Sequence, residues 1–334
     1  TSLAWNRIAH QSIERSKIGQ HLAIRLFTQL SLAQHAAIRS ATDSANTRDA
    51  VAAASMKVIT ELLPVQTEFV AAQYRAQQVG QSEAGLQAAQ KVLAAAAQDG
   101  FTRTASSPPP PGEHAWRSLA NPPAPPVSPA MGGMRTLVID SGAALRPGPP
   151  PAVGSAAFAK DLAEVRQYTV APTPETTRLA QFYDMTTGGM TAGFWNTEAA
   201  ALLGGARLNE AQTTAVLAAT NMAMMDAVVA CHDAKYSYWL PRPSQMDAAI
   251  KPLIGLPNHP AYPSNHSCIS TAAAHVLAHF FPGQRTRLEG IAKEAGLSRI
   301  YAGLHYRFDV LAGEDIGRKV AAAVVAQHAR VLAR

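Results

Sequence analysis

Apolar residues fall at helical spacing along most of this chain. In residues 18–42, Leu22, Ile24, Leu26, Phe27, Leu30, Leu32 and Ile38 form such a set. Similar spacing predicts helices over residues 47–63, 66–79 and 82–98, with Ser82 placed as an N-terminal cap and Glu83 in the first turn. Short polar joints between them imply an antiparallel bundle. Helices resume over residues 155–168, 174–185 and 208–233, and again over 264–281, 283–296 and 308–333. Val216, Leu217, Met224, Met225, Val228 and Val229 form a buried stripe on the long helix, which is core packing rather than a cofactor box.

Residues 106–151 break the pattern. Proline recurs from Pro108–Pro111 to Pro149–Pro151 and excludes helix there. Trp116, Leu137, Val138 and Ile139 would be out of place in a solvated linker, so the segment is expected to form an ordered wrap. No alternating run suggests a sheet. The expected fold is all-α, two four-helix-bundle-like halves with the Pro-rich wrap between them. It forms a single domain over 1–334, with an N-terminal bundle over 1–105, the connection over 106–154 and a C-terminal bundle over 155–334.

Composition changes little in this picture. The chain has 334 residues, with 47% hydrophobic residues and a net charge of +6. Lys and Arg are scattered without a basic run, which argues against nucleic-acid binding. No stretch of about 18 apolar residues is evident, so no membrane span is expected. The opening at Thr1 fits a processed N-terminus, and an export signal would lie outside the sequence; the compartment stays open between exported and internal. Cys231 and Cys268 are expected as buried free thiols, a single bridge being the alternative. A homo-oligomer is compatible with the sequence and not indicated by it.

The chemistry lies in three clusters within about 75 residues: Lys235 with Arg242-Pro243; Pro263-Ser264-Asn265-His266; and Ser298-Arg299 with His305 and Asp309. Pro241 and Pro243 make a stiff loop that would carry Lys235 and Arg242, the guanidinium held towards an oxyanion. Ser264 is a natural N-cap whose following amides face an anion site. His266, unfavoured by the positive end of a helix, suggests a proton-transfer task. His305 and Asp309 are one helical turn apart, so the carboxylate would hold one ring nitrogen and leave the other as nucleophile or ligand. Asp309 paired with Arg299 is the alternative. Each cluster alone is weak: lone cations are mostly solvated, and lone histidines are mostly core. His275 and His279 lack a third ligand for a zinc site. Trp239 and Tyr262 suit either a pocket wall or the core.

In order and spacing, the clusters resemble the superfamily shared by vanadium-dependent haloperoxidases and type 2 phosphatidic acid phosphatases. Its signature is Lys-x6-Arg-Pro, Pro-Ser-Gly-His and Ser-Arg-x5-His-x3-Asp. The first and third match, whereas Asn265 replaces the glycine of the second. The wider text, Cys231 to Tyr236 and His259 to Ser264, is similar to soluble bacterial vanadium haloperoxidases.

The resemblance implies vanadate as cofactor, with phosphate able to take the same place. His305 would bond the metal axially, and Lys235, Arg242 and Arg299 would neutralise the equatorial oxygens. Ser264 and the Asn265 amide would add hydrogen bonds. His266 would act as acid–base and Lys235 would polarise peroxide, with Asp309 and Asp233 in support. The implied reaction oxidises halide with hydrogen peroxide to a hypohalite equivalent that halogenates small organic acceptors. The alternative is a phosphatase with a phosphohistidine on His305. A third reading is a non-catalytic oxyanion binder.

Overall fold

A computed structural model describes residues 1–40, 44–104, 109–112, 114–184 and 190–332. The predicted helix ends at residues 42, 185 and 333 lie outside the described residues. Among the described residues the chain is helical, with no strand. It divides into two compact units, Thr1–Asp99 with Thr186–Met225, and Gly100–Met185 with Asp226–Arg334.

The first unit contains α1 (Ser2–Ser16), α2 (Gln20–Ser40), α3 (Ser44–Leu62), α4 (Thr67–Ala76) and α5 (Glu83–Ala97), together with α8 (Met190–Gly205). Ser82 caps α5 as its sequence position suggested, its hydroxyl accepting from the Gly85 amide. The sequence pattern did not single out α1 or α8. Their buried faces carry Trp5 and Trp195. A buried amide network also ties them in: Asn6 donates to Asn196, whose own amide donates to Asn221.

The second unit holds α6 (Ala156–Val170), α7 (Pro174–Phe182), α10 (Pro243–Met246), α11 (Asn265–Phe280), α12 (Arg285–Tyr301) and α13 (Arg307–Leu332). Helix α9 (Glu210–Tyr238) starts in the first unit and ends in the second. The described part of the Pro-rich segment belongs to the second unit and packs against it. The Trp116 amide donates to the Trp239 carbonyl, and Tyr236, Tyr238 and Tyr262 donate their hydroxyls to Val127, Pro147 and Gly148 carbonyls.

Asp226 anchors the wrap more firmly. Its carboxylate is fully buried and accepts the amides of Leu137, Val138 and Ile139 at 2.8, 2.7 and 3.1 Å. Burial raises its pKa against those three bonds. Asp226→Ala strips the three amides of their acceptor, and should lower unfolding free energy by about 3 kcal/mol in urea denaturation. A loss below about 0.5 kcal/mol would show that the wrap does not depend on it.

Four expectations need correction. First, the segment Glu210–Met246 holds an 18-residue window of mean hydropathy 1.5, so by length and composition it could cross a bilayer; 89% of that window is buried within the protein, as in a core helix. Second, α9 runs on to Tyr238, so Lys235 lies on its last turn rather than in a loop. Nothing before Pro241 forbids helix, and Trp239, at φ 48°, is the left-handed residue that stops it. Third, α12 continues past Gly296 to Tyr301. That glycine answers packing rather than termination: an added Cβ would sit 2.9 Å from Ser267 Oγ. Fourth, Cys231 and Cys268 are paired in a disulfide rather than free, linking α9 to α11 one helical turn from Lys235 and Ser264 respectively.

Helix α13 lies close along α11. At Gly313 a Cβ would stand 2.7 Å from the Ser264 carbonyl oxygen, so only glycine permits this approach. The approach is reinforced by the Ser264 amide, which donates to the Asp309 carbonyl at 3.0 Å. The second and third motifs are joined through these backbones.

Candidate active site

Lys235, Arg242 and Arg299 are buried, at 0%, 0% and 2% exposure, and lie in one electrostatic neighbourhood. Lys235 arrives on the end of α9. Its ammonium donates to the carbonyls of Pro260, Ala261 and Pro263 in the loop ahead of α11. Burial first, and Arg242 second, push its pKa well down.

Arg242 caps α10 through its backbone and sends its guanidinium inward. Nε donates to the His259 carbonyl at 3.0 Å, Nη1 to the Leu304 carbonyl at 2.8 Å, and Nη2 lies 3.1 Å from His259 Nδ1. Arg299, on the last turn of α12, donates from Nε to Ser298 Oγ and from Nη2 to the Ala180 carbonyl, both at 3.0 Å. Burial lowers both guanidinium pKa values to about 10.

His305 precedes α13 instead of lying on it. Its contact with Asp309 therefore spans the helix start, where Asp309 Oδ2 accepts both His305 Nδ1–H at 2.8 Å and the Tyr306 amide at 3.1 Å. The pairing with Arg299 is not formed. On the other ring nitrogen, Arg242 Nη1 lies 2.9 Å from Nε2. A guanidinium has only N–H groups to offer, so Nε2 is the unprotonated acceptor and Nδ1 bears the proton. The ring thus presents a lone pair to the cations, its orientation set by the carboxylate behind it.

Ser264 caps α11, its hydroxyl accepting from the Ser267 amide. His266, in the first turn, has Nε2 2.9 Å from the Tyr183 carbonyl. That carbonyl must accept, so Nε2 carries the proton and Nδ1 is the basic position. Burial and then Arg299 hold the ring neutral. Asn265 Nδ2 lies 3.2 Å from His232 Nε2. Asp233 does not join the cluster: two residues before Lys235 it faces elsewhere on α9, and Arg146 takes its carboxylate in a bidentate pair at 2.7 and 3.0 Å. Trp239 and Tyr262 are core residues, in tilted contact with Trp116 and edge-to-face contact with Tyr238 respectively. Sequence reasoning did not single out His259, which touches Arg242 twice; its only signal is its place four residues before Pro263.

The electrostatic balance is one-sided. Three cations share this buried volume with the Asp309 carboxylate, whose pKa burial raises to about 7 against the pull of Lys235, while Asp184 acts on Arg299. The remaining polar groups at the cations are mainly carbonyls and neutral imidazoles. Such a surplus calls for an anion. The donors suit a tetrahedral oxyanion: forked guanidiniums, an ammonium, a hydroxyl and a helix N-terminus, with one imidazole lone pair for an apical bond. On this chemistry the residues fit vanadate, and equally phosphate.

The shifts also fix a pH response. Burial depresses His259, His266 and His305 well below the ordinary 6.5, so the stability tied to keeping them neutral is present above pH 6.5 and is lost as the pH falls below it. Asp309 acts oppositely, its contribution present at low pH and lost as the pH rises through about 7. With His275 and His328 counted, five depressed imidazoles outnumber the raised carboxyls of Asp309, Asp226 and Asp161. The urea midpoint of the anion-free protein should drop as the pH is taken from 6.5 to about 5, and a rising midpoint would refute this balance.

Comparison with known proteins places relatives beside this chain. The profile of the PAP2 superfamily matches residues 214–332, a span that includes all three motifs. The superfamily resemblance read from those motifs is therefore borne out. A bacterial vanadium-dependent iodoperoxidase structure superposes with a TM-score of 0.83 at 22% identity, covering 97% of this chain and 95% of that one. A bacterial vanadium-dependent chloroperoxidase in its holo form gives 0.75 at 14% identity, covering 92% of each chain. Its apo form gives 0.74 at 13%, covering 90% of this chain and 92% of that one. At these identities the likeness establishes a common fold. A search of curated protein sequences found no match.

Proposed function

We propose that this chain is a vanadate-dependent haloperoxidase that uses hydrogen peroxide to oxidise halide to a hypohalite equivalent, which halogenates small organic acceptors. The observation that carries the reading is the buried surplus of positive charge facing the unprotonated Nε2 of His305. Vanadate over phosphate is supported by a likeness that runs through 97% of the chain to a protein described as a vanadium-dependent iodoperoxidase.

Vanadate, when bound, supplies a Lewis acid that activates peroxide without itself changing oxidation state. The protein's part is binding, orientation and proton handling. His305 would hold the vanadate through the Nε2 lone pair that accepts the Arg242 N–H in this structure. Asp309 holds the ring in the required tautomer. Lys235, Arg242 and Arg299 would neutralise its negative charge, with Ser264 and the Asn265 amide adding hydrogen bonds. Lys235 would also donate a hydrogen bond to the peroxide substrate. His266, its Nε2–H committed to the Tyr183 carbonyl, takes up and returns a proton at Nδ1.

The same cage can serve phosphoryl transfer, with His305 Nε2 as nucleophile and His266 protonating the leaving alcohol. A paired assay separates the readings. One arm supplies orthovanadate, peroxide and bromide or chloride with a halogenation-sensitive dye; the other supplies a phosphate monoester without vanadate. Halogenation alone is the expected result. Hydrolysis alone would replace it with the phosphatase, and tight vanadate binding without turnover with a non-catalytic binder.

A further inference from the structure

Asn265 puts a side chain where the related motif has glycine, and the structure fixes how that side chain is turned. His232 Nδ1 lies 3.3 Å from the Ser128 carbonyl, which can only accept, so His232 is protonated at Nδ1 and Nε2 is its acceptor. Asn265 Nδ2, 3.2 Å from that Nε2, is therefore the donor, and Oδ1 occupies the other end of the amide. Asn265 is 6% exposed, and its Oδ1 is buried with no hydrogen-bond partner among the described residues. A buried amide oxygen without a protein donor is a cost that a donor on a ligand would recover.

Its position ties it to the cage. Ser264 precedes it and His266 follows it on α11. The His232 ring that it touches lies 5.9 Å from the His259 ring, and His259 Nδ1 is 3.1 Å from Arg242 Nη2. The ammonium, the guanidiniums and the helix-end amides of the cage are donors. Asp309 Oδ1, the other buried carboxyl or amide oxygen without a partner near the cage, stands behind His305.

We propose that Asn265 makes the cage selective for tetrahedral oxyanions that keep a proton at neutral pH, such as vanadate and phosphate, by accepting their O–H on Oδ1. Sulfate and molybdate, which carry no proton there, would set a bare oxygen against the amide oxygen and be disfavoured. The inference rests on the oxyanion reading of the site.

The test is calorimetric titration of the anion-free full chain with phosphate, orthovanadate, sulfate and molybdate at neutral pH. Wild type, Asn265→Gly and Asn265→Leu are compared, with a thermal melt for folding. Leucine fills the volume without an acceptor, and glycine, the residue of the related motif, keeps the comparison available if leucine does not fold. The phosphate-to-sulfate and vanadate-to-molybdate affinity ratios should fall by about tenfold in the folded variants. A change below twofold would overturn the proposal while leaving the oxyanion site intact. Failure of wild type to bind any of the four anions would overturn the site reading, and the proposal with it.

Discussion

His305→Ala should reduce turnover by about 10³-fold and leave orthovanadate affinity at least tenfold weaker. The substitution removes the one imidazole whose lone pair faces the cations while its other nitrogen is tied to a buried carboxylate. Neither neighbouring imidazole is backed by a carboxylate in this way: His266 donates Nε2–H to the Tyr183 carbonyl, and His259 is packed against the Arg242 fork. Asp309→Asn is the companion variant. It keeps a carbonyl-type acceptor for Nδ1–H and Tyr306 but removes the charge that supports the ring, and should cost about 10–100-fold. Turnover and calorimetric affinity measured together check both. If His305→Ala bound vanadate as tightly as wild type, the proposal that His305 holds the anion would be wrong.

Arg242→Lys should cost about 10²–10³-fold in turnover although it conserves charge. The guanidinium is fully buried and makes four contacts from one plane: the His259 and Leu304 carbonyls, His259 Nδ1 and His305 Nε2. An ammonium cannot reproduce that fork, and the carbonyls it abandons are buried. The orientation of His305 and of the loop before α11 would suffer together. Steady-state kinetics under saturating orthovanadate are the check. Retention of more than a third of wild-type turnover would mean that Arg242 acts as a point charge alone.

The site was legible in the sequence because its chemistry depends on residue type and order. Cations, imidazoles and a capping serine at fixed spacing point to a candidate oxyanion cage before any fold is known. The helical class was legible for a similar reason, since apolar spacing at 3.6 residues survives any packing arrangement. What stayed hidden depended on partners distant in sequence. Asp226 looks like an interruption in an apolar stripe until Leu137, Val138 and Ile139 are placed against it. Asp233 looks like a neighbour of Lys235 until Arg146 claims it. Gly296 looks like a helix end until Ser267 is seen to need the space. The cysteines, 37 residues apart, gave no sign that α9 and α11 bring them to a Cα separation of 6.5 Å. The final turn of α9 is hidden because Pro241 suggests a break, whereas the helix runs on to Tyr238.

The central claim is that a buried excess of positive charge around His305 exists to hold a tetrahedral oxyanion. Calorimetric titration of the purified, anion-free protein with orthovanadate tests it most directly. One site per chain with a dissociation constant in the micromolar range or below, worth about 8 kcal/mol or more, is the predicted result. Absence of saturable binding up to millimolar orthovanadate would contradict the account.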